Sequence, residues 1–344
     1  MEAKDTEREI LQKAVEGFRK AANIDVQIQH GNYDFEAILQ IRLYEMEWNF
    51  PVEVKKRVTL PALGVTFQRL RKFPQKVLLV MDYATPKMAD RMREMGIQFI
   101  DAAGNAYIND PPLFIFIKGN RPAVMHRTER PTRAFQPKGL QVVFALLCNP
   151  GLEAEPFRKI ADMANAALGT VGWVVQDLKQ MGYLIDMGKR GRRLVKKRNL
   201  FDRWVATYPE QLRPRRILGN YVTTDTDWWK DKDLTQFGAL WGGEVAAAFL
   251  TKYLKPEIAT IYVRETPAKL ALAHGLKSNP RGNVEILKVF WNFEHRLQGD
   301  DPFHKNLVHP ILIYADLLAT GNTRNIEIAD IIYEQELTRF IPDN

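Results

Sequence analysis

The chain has 344 residues, 46 % hydrophobic and 26 % charged, with a formal net charge of +8. That length exceeds one ordinary core and calls for about two or three domains. No apolar run approaches the ~20 residues of a membrane span, the charged N-terminus lacks the apolar stretch of a secretory signal, and the lone Cys148 excludes an internal disulfide or a cysteine zinc cluster. The expected compartment is therefore the cytoplasm, with no membrane partner.

Residues 1–120 read as α/β. Ile10, Leu11, Ala14, Phe18 and Ala21 share one stripe and predict a helix over roughly Thr6 to Ala22. The alternating, β-branched segments IDVQIQH, DFEAILQIRL and WNFPVEVKKRV predict three strands, followed by a helix near Leu63 to Lys72. KVLLVMDY is of buried-strand type, TPKMADRMREMG is helical with Pro86 in its first turn, and IQFID, NAYI and LFIFIKG are strands. The alternation predicts a mixed sheet flanked by helices, of restriction-endonuclease-like type.

Within this segment, VEVKKR ends a strand with Glu53 and Lys55 on one face. Nucleases of the PD-(D/E)xK kind need such a pair beside a carboxylate from the preceding strand. The carboxylates hold divalent cations that activate water, and the lysine orients the nucleophile. Asp34 would supply the first carboxylate, with Glu36 as its substitute, and Gln68 a polar group on the following helix. The candidate catalytic set is Asp34, Glu53, Lys55 and Gln68, with Asp34 and Glu53 holding Mg2+ or Mn2+ if the site is active. Tyr33 stands where the motif has its proline, and ExK also arises by chance on amphipathic strands. The expectation is a nuclease-like scaffold without general DNA cleavage.

Residues 121–137, punctuated by Pro122, Pro131 and Pro137, read as a basic linker in which Arg121, Arg127, Arg130 and Arg133 are solvated, the alternative on charge alone being that they touch a phosphate backbone. Over 138–200 the order is helix (GLQVVFALLCNP), helix (PFRKIADMANAA), turn, third helix (LGTVGWVVQDLKQMG) and hairpin (YLIDMGKRGRRLVKKR). That is the order of a winged helix-turn-helix, whose third helix enters the major groove while the wing lies over the backbone. Val171, Val174, Leu178 and Met181 form the buried stripe of the third helix, and Thr170, Trp173, Gln176, Asp177 and Gln180 point elsewhere. Gly182 ends the helix as a C-cap glycine, and Ala167 stands at its start, where a serine cap is common. The hairpin gathers Lys189, Arg190, Arg192, Arg193, Lys196, Lys197 and Arg198 with no acidic residue between them. Such local density points to duplex DNA more strongly than a chain-wide surplus does. The candidate DNA contacts are Thr170, Trp173, Gln176 and Gln180 on the helix, with Lys189, Arg190, Arg192, Arg193, Lys196 and Lys197 on the wing.

Residues 201–344 read as a further α/β unit. NLFDRWVATYPEQLRP is helical, EIATIYV and VEILKVFWNF are strands, and two terminal helices are divided at Gly321-Asn322. FGALWGGEVAAAFL carries Gly242-Gly243 into a helix, a turn of the kind by which nucleotidyltransferases approach a triphosphate. The strand IATIYV lacks the acidic residues that would hold magnesium, so close helix packing is the favoured role of the glycines. Six scattered histidines and the lack of GxSxG, GxGxxG and Walker A sequences argue against triad and nucleotide-loop chemistry.

MREMGIQFIDAAGNAYI, AFQPKGLQVVFALLCNP, ALGTVGWVVQDLKQMGYL, GALWGGEVAAAFLTKYLKPEI and HPILIYADLLATGNTRNIEIADIIYEQEL together resemble the AbiEi-like proteins of bacterial type IV toxin–antitoxin systems, over most of residues 30–340. The resemblance implies an antitoxin that also represses its own operon through a winged helix, with a nucleotidyltransferase-like toxin as partner. Better-known members begin with the winged helix, whereas here an α/β segment precedes it. The expected function is a DNA-binding transcriptional regulator of this kind. The alternatives are a metal-dependent nuclease targeted by the winged helix and a protein-interaction scaffold.

Overall fold

The stripe of the first helix organises the N-terminal segment. A computed structural model describes residues 2–30, 35, 37–56, 58, 62–122, 132–225, 227–230, 232–294 and 306–341. In it α1 (Glu2–Ala22) buries Ile10, Leu11, Ala14, Val15 and Phe18, while Ala21 stays exposed. The chain divides into two compact units, Met1–Thr128 and Glu129–Asn344.

The first unit holds a seven-stranded sheet in sequence order: β1 (Asp25–His30), β2 (Ala37–Leu43), β3 (Met46–Lys55), β4 (Leu78–Met81), β5 (Phe99–Asp101), β6 (Ala106–Asp110) and β7 (Leu113–Ile117). Strands β1 to β3 form an antiparallel meander, β3, β4 and β5 run parallel, and β6 and β7 return antiparallel. The parallel steps need crossovers, which α2 (Leu63–Arg71) and α3 (Pro86–Glu94) supply. Thr85 caps α3 by accepting the Met88 N–H, and Pro86 follows it at the first helical position, as the sequence predicts. The two-residue period of β3 splits its side chains. Trp48, Phe50 and Val52 enter the core beneath α1, whereas Asn49, Pro51, Glu53 and Lys55 face the other way.

In the second unit α4 (Pro137–Cys148) is buried almost all round, and Cys148 lies in this core. Helices α5 (Phe157–Met163) and α6 (Leu168–Gln180) follow, then a hairpin of β8 (Leu184–Asp186) and β9 (Arg192–Leu194). Helix α7 (Lys197–Gln211) packs on α4: Trp204 stacks on Phe144, centroids 5.1 Å apart, and donates its indole N–H to the Leu140 carbonyl at 2.9 Å. Phe290 and Trp291 reach the same ring at 5.1 and 5.6 Å. Those aromatics follow a strand of a five-stranded sheet ordered β11 (Ala239–Gly242), β12 (Ala259–Val263), β14 (Val284–Lys288), β10 (Ile217–Val222), β13 (Lys277–Ser278). Helices α8 (Gly243–Thr251), α9 (Ala268–Ala273), α10 (Pro310–Ala319) and α11 (Thr323–Ile332) complete the unit.

The Gly242-Gly243 turn serves close packing. A Cβ on Gly242 would stand 2.6 Å from the Tyr262 ring, and Gly243, at φ +48°, would meet Thr260 Oγ1 at 2.7 Å. Beneath it lies a buried polar cluster. Asp316 Oδ1 accepts from Tyr208 OH and Arg213 Nε, each at 3.0 Å, and Oδ2 accepts from Tyr262 OH at 2.8 Å. Arg213 in turn grips Glu285 with both terminal nitrogens, at 3.2 and 2.5 Å. No described helix is long and apolar enough to cross a membrane.

Candidate nucleic-acid interface and carboxylate–lysine pair

Helix α6 starts at Ala167 with no side-chain cap and closes through Gly182, at φ +70°, whose N–H reaches the Lys179 carbonyl at 3.0 Å. Val171, Val174, Val175 and Leu178 are buried; Met181, expected among them, is only half-buried. Trp173, Gln176 and Gln180 are exposed and Thr170 is partly covered. Asp177 accepts the Ala134 backbone N–H at 3.0 Å, so it anchors the chain that precedes α4. Trp173, 52 % exposed, carries the Arg133 guanidinium 3.9 Å above its ring. Arg133 is therefore more than the solvated connector expected of it. It belongs to a single helical turn, Arg133–Phe135, seated against α6. Arg127 and Arg130 lie outside the described residues.

The hairpin cations divide by role. Arg192 donates to the carbonyls of Glu153 and Glu155 at 2.7 and 2.5 Å and lies 4.6 Å over the Phe157 ring, so it fastens the hairpin to the turn before α5. Glu153, buried, accepts the Leu194 and Gly151 N–H groups and fixes the same junction. Lys179 of α6 pairs with Asp186 of β8 at 2.7 Å, and that hydrogen bond first of all lowers the Asp186 pKa. Arg190 and Arg193 are exposed and have no ion pair among the described residues. Lys189 sits in the connecting turn.

The hairpin is shorter than the basic run implies. Its returning strand stops at Leu194, and Lys196, at φ +49°, turns the chain into α7, so Lys197 and Arg198 belong to a helix rather than to the wing. Arg198 pairs with Asp202 at 2.9 Å and lies 4.2 Å over the Tyr333 ring, which ties it to the fold. Lys196 is exposed and Lys197 partly so, both just beyond the hairpin.

In the first unit Glu53 and Lys55 do share the face of β3 turned away from the α1 core, and their side chains pair at 2.9 Å. Arg69 of α2 adds a second cation to the same Glu53 oxygen at 3.3 Å. Gln68, only 4 % exposed, lies on that helix. Asp34 and its substitute Glu36 fall outside the described residues. The described donors thus amount to one carboxylate already engaged by two cations, and no group of three or more His, Cys, Asp or Glu side chains converges among the described residues. By themselves these donors do not fit a divalent cation, which draws on several oxygens. Asp101, a deeply buried carboxylate of this unit, is occupied by the backbone N–H groups of Ala84, Ala103 and Asn105 and by the Asn105 amide.

Part of the second unit is similar to a family of transcriptional regulators. Residues 193–338 match the family described as transcriptional regulator, AbiEi antitoxin, of type IV toxin–antitoxin systems. The match opens inside the hairpin at Arg193 and takes in α7 to α11 with the five-stranded sheet. No curated protein and no solved structure matches the chain.

Proposed function

We propose that the chain is a DNA-binding transcriptional regulator of the AbiEi antitoxin kind, gripping duplex DNA through a winged helix made of α4, α5, α6 and the β8–β9 hairpin. One observation carries this reading: the outward ridge of α6, with Trp173, Gln176 and Gln180, adjoins a hairpin whose Arg190 and Arg193 lack acidic partners among the described residues. In such a domain the ridge meets base edges and the hairpin cations meet phosphates. The family match over 193–338 supports the regulator role. The partner in this reading is a nucleotidyltransferase-like toxin, and the compartment is the cytoplasm.

The test is fluorescence anisotropy with a duplex taken from upstream of the protein's own gene and with a mixed-sequence duplex, over a range of salt. Tighter binding to the first is expected, with log K falling by ~0.9 per unit log salt for each phosphate held. Gln176→Ala should narrow the preference by ~1–3 kcal/mol. Equal losses on both duplexes would remove α6 as the base-reading element.

A second reading has its own observation: the order α1–β1–β2–β3–α2–β4, with Glu53 and Lys55 paired at the end of β3. On that reading the first unit is a metal-dependent nuclease of restriction-endonuclease-like fold, delivered by the winged helix. The regulator ranks first because Glu53 is neutralised by Lys55 and Arg69.

A further inference from the structure

The outward ridge of α6 is flanked on both sides. At about 100° per residue, Gly169, Trp173, Gln176 and Gln180 point in nearly one direction, with Gly172 and Lys179 to one side and Asp177 and Met181 to the other. The first side adjoins α5 and the hairpin. A Cβ on Gly172 would touch Phe157 at 4.0 Å, Arg192 covers that same ring, and Lys179 holds Asp186 of β8. The second side carries residues 132–135. Asp177 accepts the Ala134 N–H at 3.0 Å, Thr132 Oγ1 lies 3.9 Å from Met181 Sδ, and Arg133 covers Trp173.

This strap is firmly seated. Phe135 is 1 % exposed beneath the Arg203 guanidinium, 4.1 Å from its ring. The turn meets the start of α4 so closely that a Cβ on Gly139 would stand 1.9 Å from the Arg133 carbonyl. Arg133 has its guanidinium carbon 3.9 Å over an exposed indole, has no ion pair among the described residues, and stands at the border of the ridge away from the hairpin. A guanidinium stacked by one face keeps its in-plane N–H fork available, and the stacking reduces the ordering that binding requires.

We propose that residues 132–135 form a second DNA-backbone clamp, in which Arg133, laid on Trp173, binds a phosphate on the groove wall opposite the one held by the hairpin. The proposal rests on the DNA-binding reading and extends it: α6 would lie between two cationic walls, one from the hairpin and one from the strap.

The experiment uses the full chain and a mixed-sequence duplex, measuring anisotropy over a salt series together with tryptophan emission. Arg133→Gln should make the slope of log K against log salt shallower by ~0.9 while leaving the melting temperature unchanged. Arg133→Lys should keep the slope and bind more weakly, because an ammonium has no plane to stack. Binding of DNA should change the emission of the wild type, and Trp173→Phe should abolish that change. A wild-type slope in Arg133→Gln, with a reduced slope in Arg193→Ala, would overturn the strap while leaving the hairpin and the DNA reading in place. Wild-type slopes in both variants, or no binding by the wild type at low salt, would overturn the DNA reading itself.

Discussion

Arg213 closes the buried polar cluster around Asp316, and replacing it reveals how much that cluster contributes. Burial raises the Asp316 pKa, while Arg213 and the hydroxyls of Tyr208 and Tyr262 pull against that rise. Arg213→Met keeps much of the bulk and removes the cation from both Asp316 and Glu285. Removing one partner of a buried ion pair costs ~3–5 kcal/mol. The deserted carboxyl has an escape, since it can take up a proton. At pH 7 that costs ~4 kcal/mol for an acid of ordinary pKa ~3.9, and the figure drops by ~1.4 kcal/mol per pH unit. The loss of stability from the Asp316 pair should therefore be ~3–4 kcal/mol at pH 7 and only ~1–2 kcal/mol at pH 5. The sign follows from linkage. A carboxyl whose folded pKa is raised contributes fully below its unfolded pKa and loses that contribution as pH rises through the folded value. The variant should accordingly fall further behind the wild type between pH 5 and pH 7. Urea unfolding of both proteins at the two pH values, with matched m-values, gives the difference directly. A difference below ~1 kcal/mol, or one independent of pH, would mean that Asp316 is neutral in the native protein and that no ion pair exists there.

Gly139→Ala should unseat the strap, lowering stability by ~1–3 kcal/mol in thermal unfolding and altering the emission of Trp173. Arg192→Ala should cost ~1–3 kcal/mol through its lost carbonyl contacts, whereas Arg193→Ala should leave melting unchanged and reduce the salt slope of DNA binding by ~0.9. Equal melting shifts in these two variants would erase the division of labour between the two arginines. With Mg2+ or Mn2+ present, neither the wild type nor Glu53→Ala is expected to cut supercoiled plasmid or single-stranded DNA. Cleavage by the wild type that disappears in Glu53→Ala would reverse the ranking in favour of the nuclease.

Most elements were legible because period and punctuation agree in them. The stripe of α1, the alternation of β1 to β3, Pro86 and the glycines at 182 and 242–243 all mark what the chain does locally. Strand β10 was not legible. ILGNYV has no clean alternation, Ile217 and Leu218 are exposed, and its pairing with β14 is set by residues more than sixty positions away, from Leu287 opposite Ile217 to Val284 opposite Tyr221. The basic run RRLVKKR shows no break, yet the strand becomes a helix within it. The distant ring of Tyr333 and the Asp202 carboxylate claim Arg198. Arg192 and Arg193 are adjacent and alike, and only the pleat sends one to the Glu153 and Glu155 carbonyls while the other stays exposed. Arg133 was hidden among prolines, since nothing in a linker's composition announces an indole waiting for it. Asp34, on which the metal reading turned, falls outside the described residues.

The stacking of Trp204 on Phe144, backed by Phe290 and Trp291, bears on how such a protein can be rearranged by recombination. Helix α4 finds its covering partly in aromatics contributed from beyond residue 200, so the segment bearing α6 is not a cassette with a finished interior. Cutting the chain after β9 would leave Phe144 without those rings on one piece, and Trp204 without its stacking partner on the other. A working chimera would have to exchange the aromatic set on both sides of the cut together, which ties the inheritance of the α6 surface to that of the five-stranded sheet.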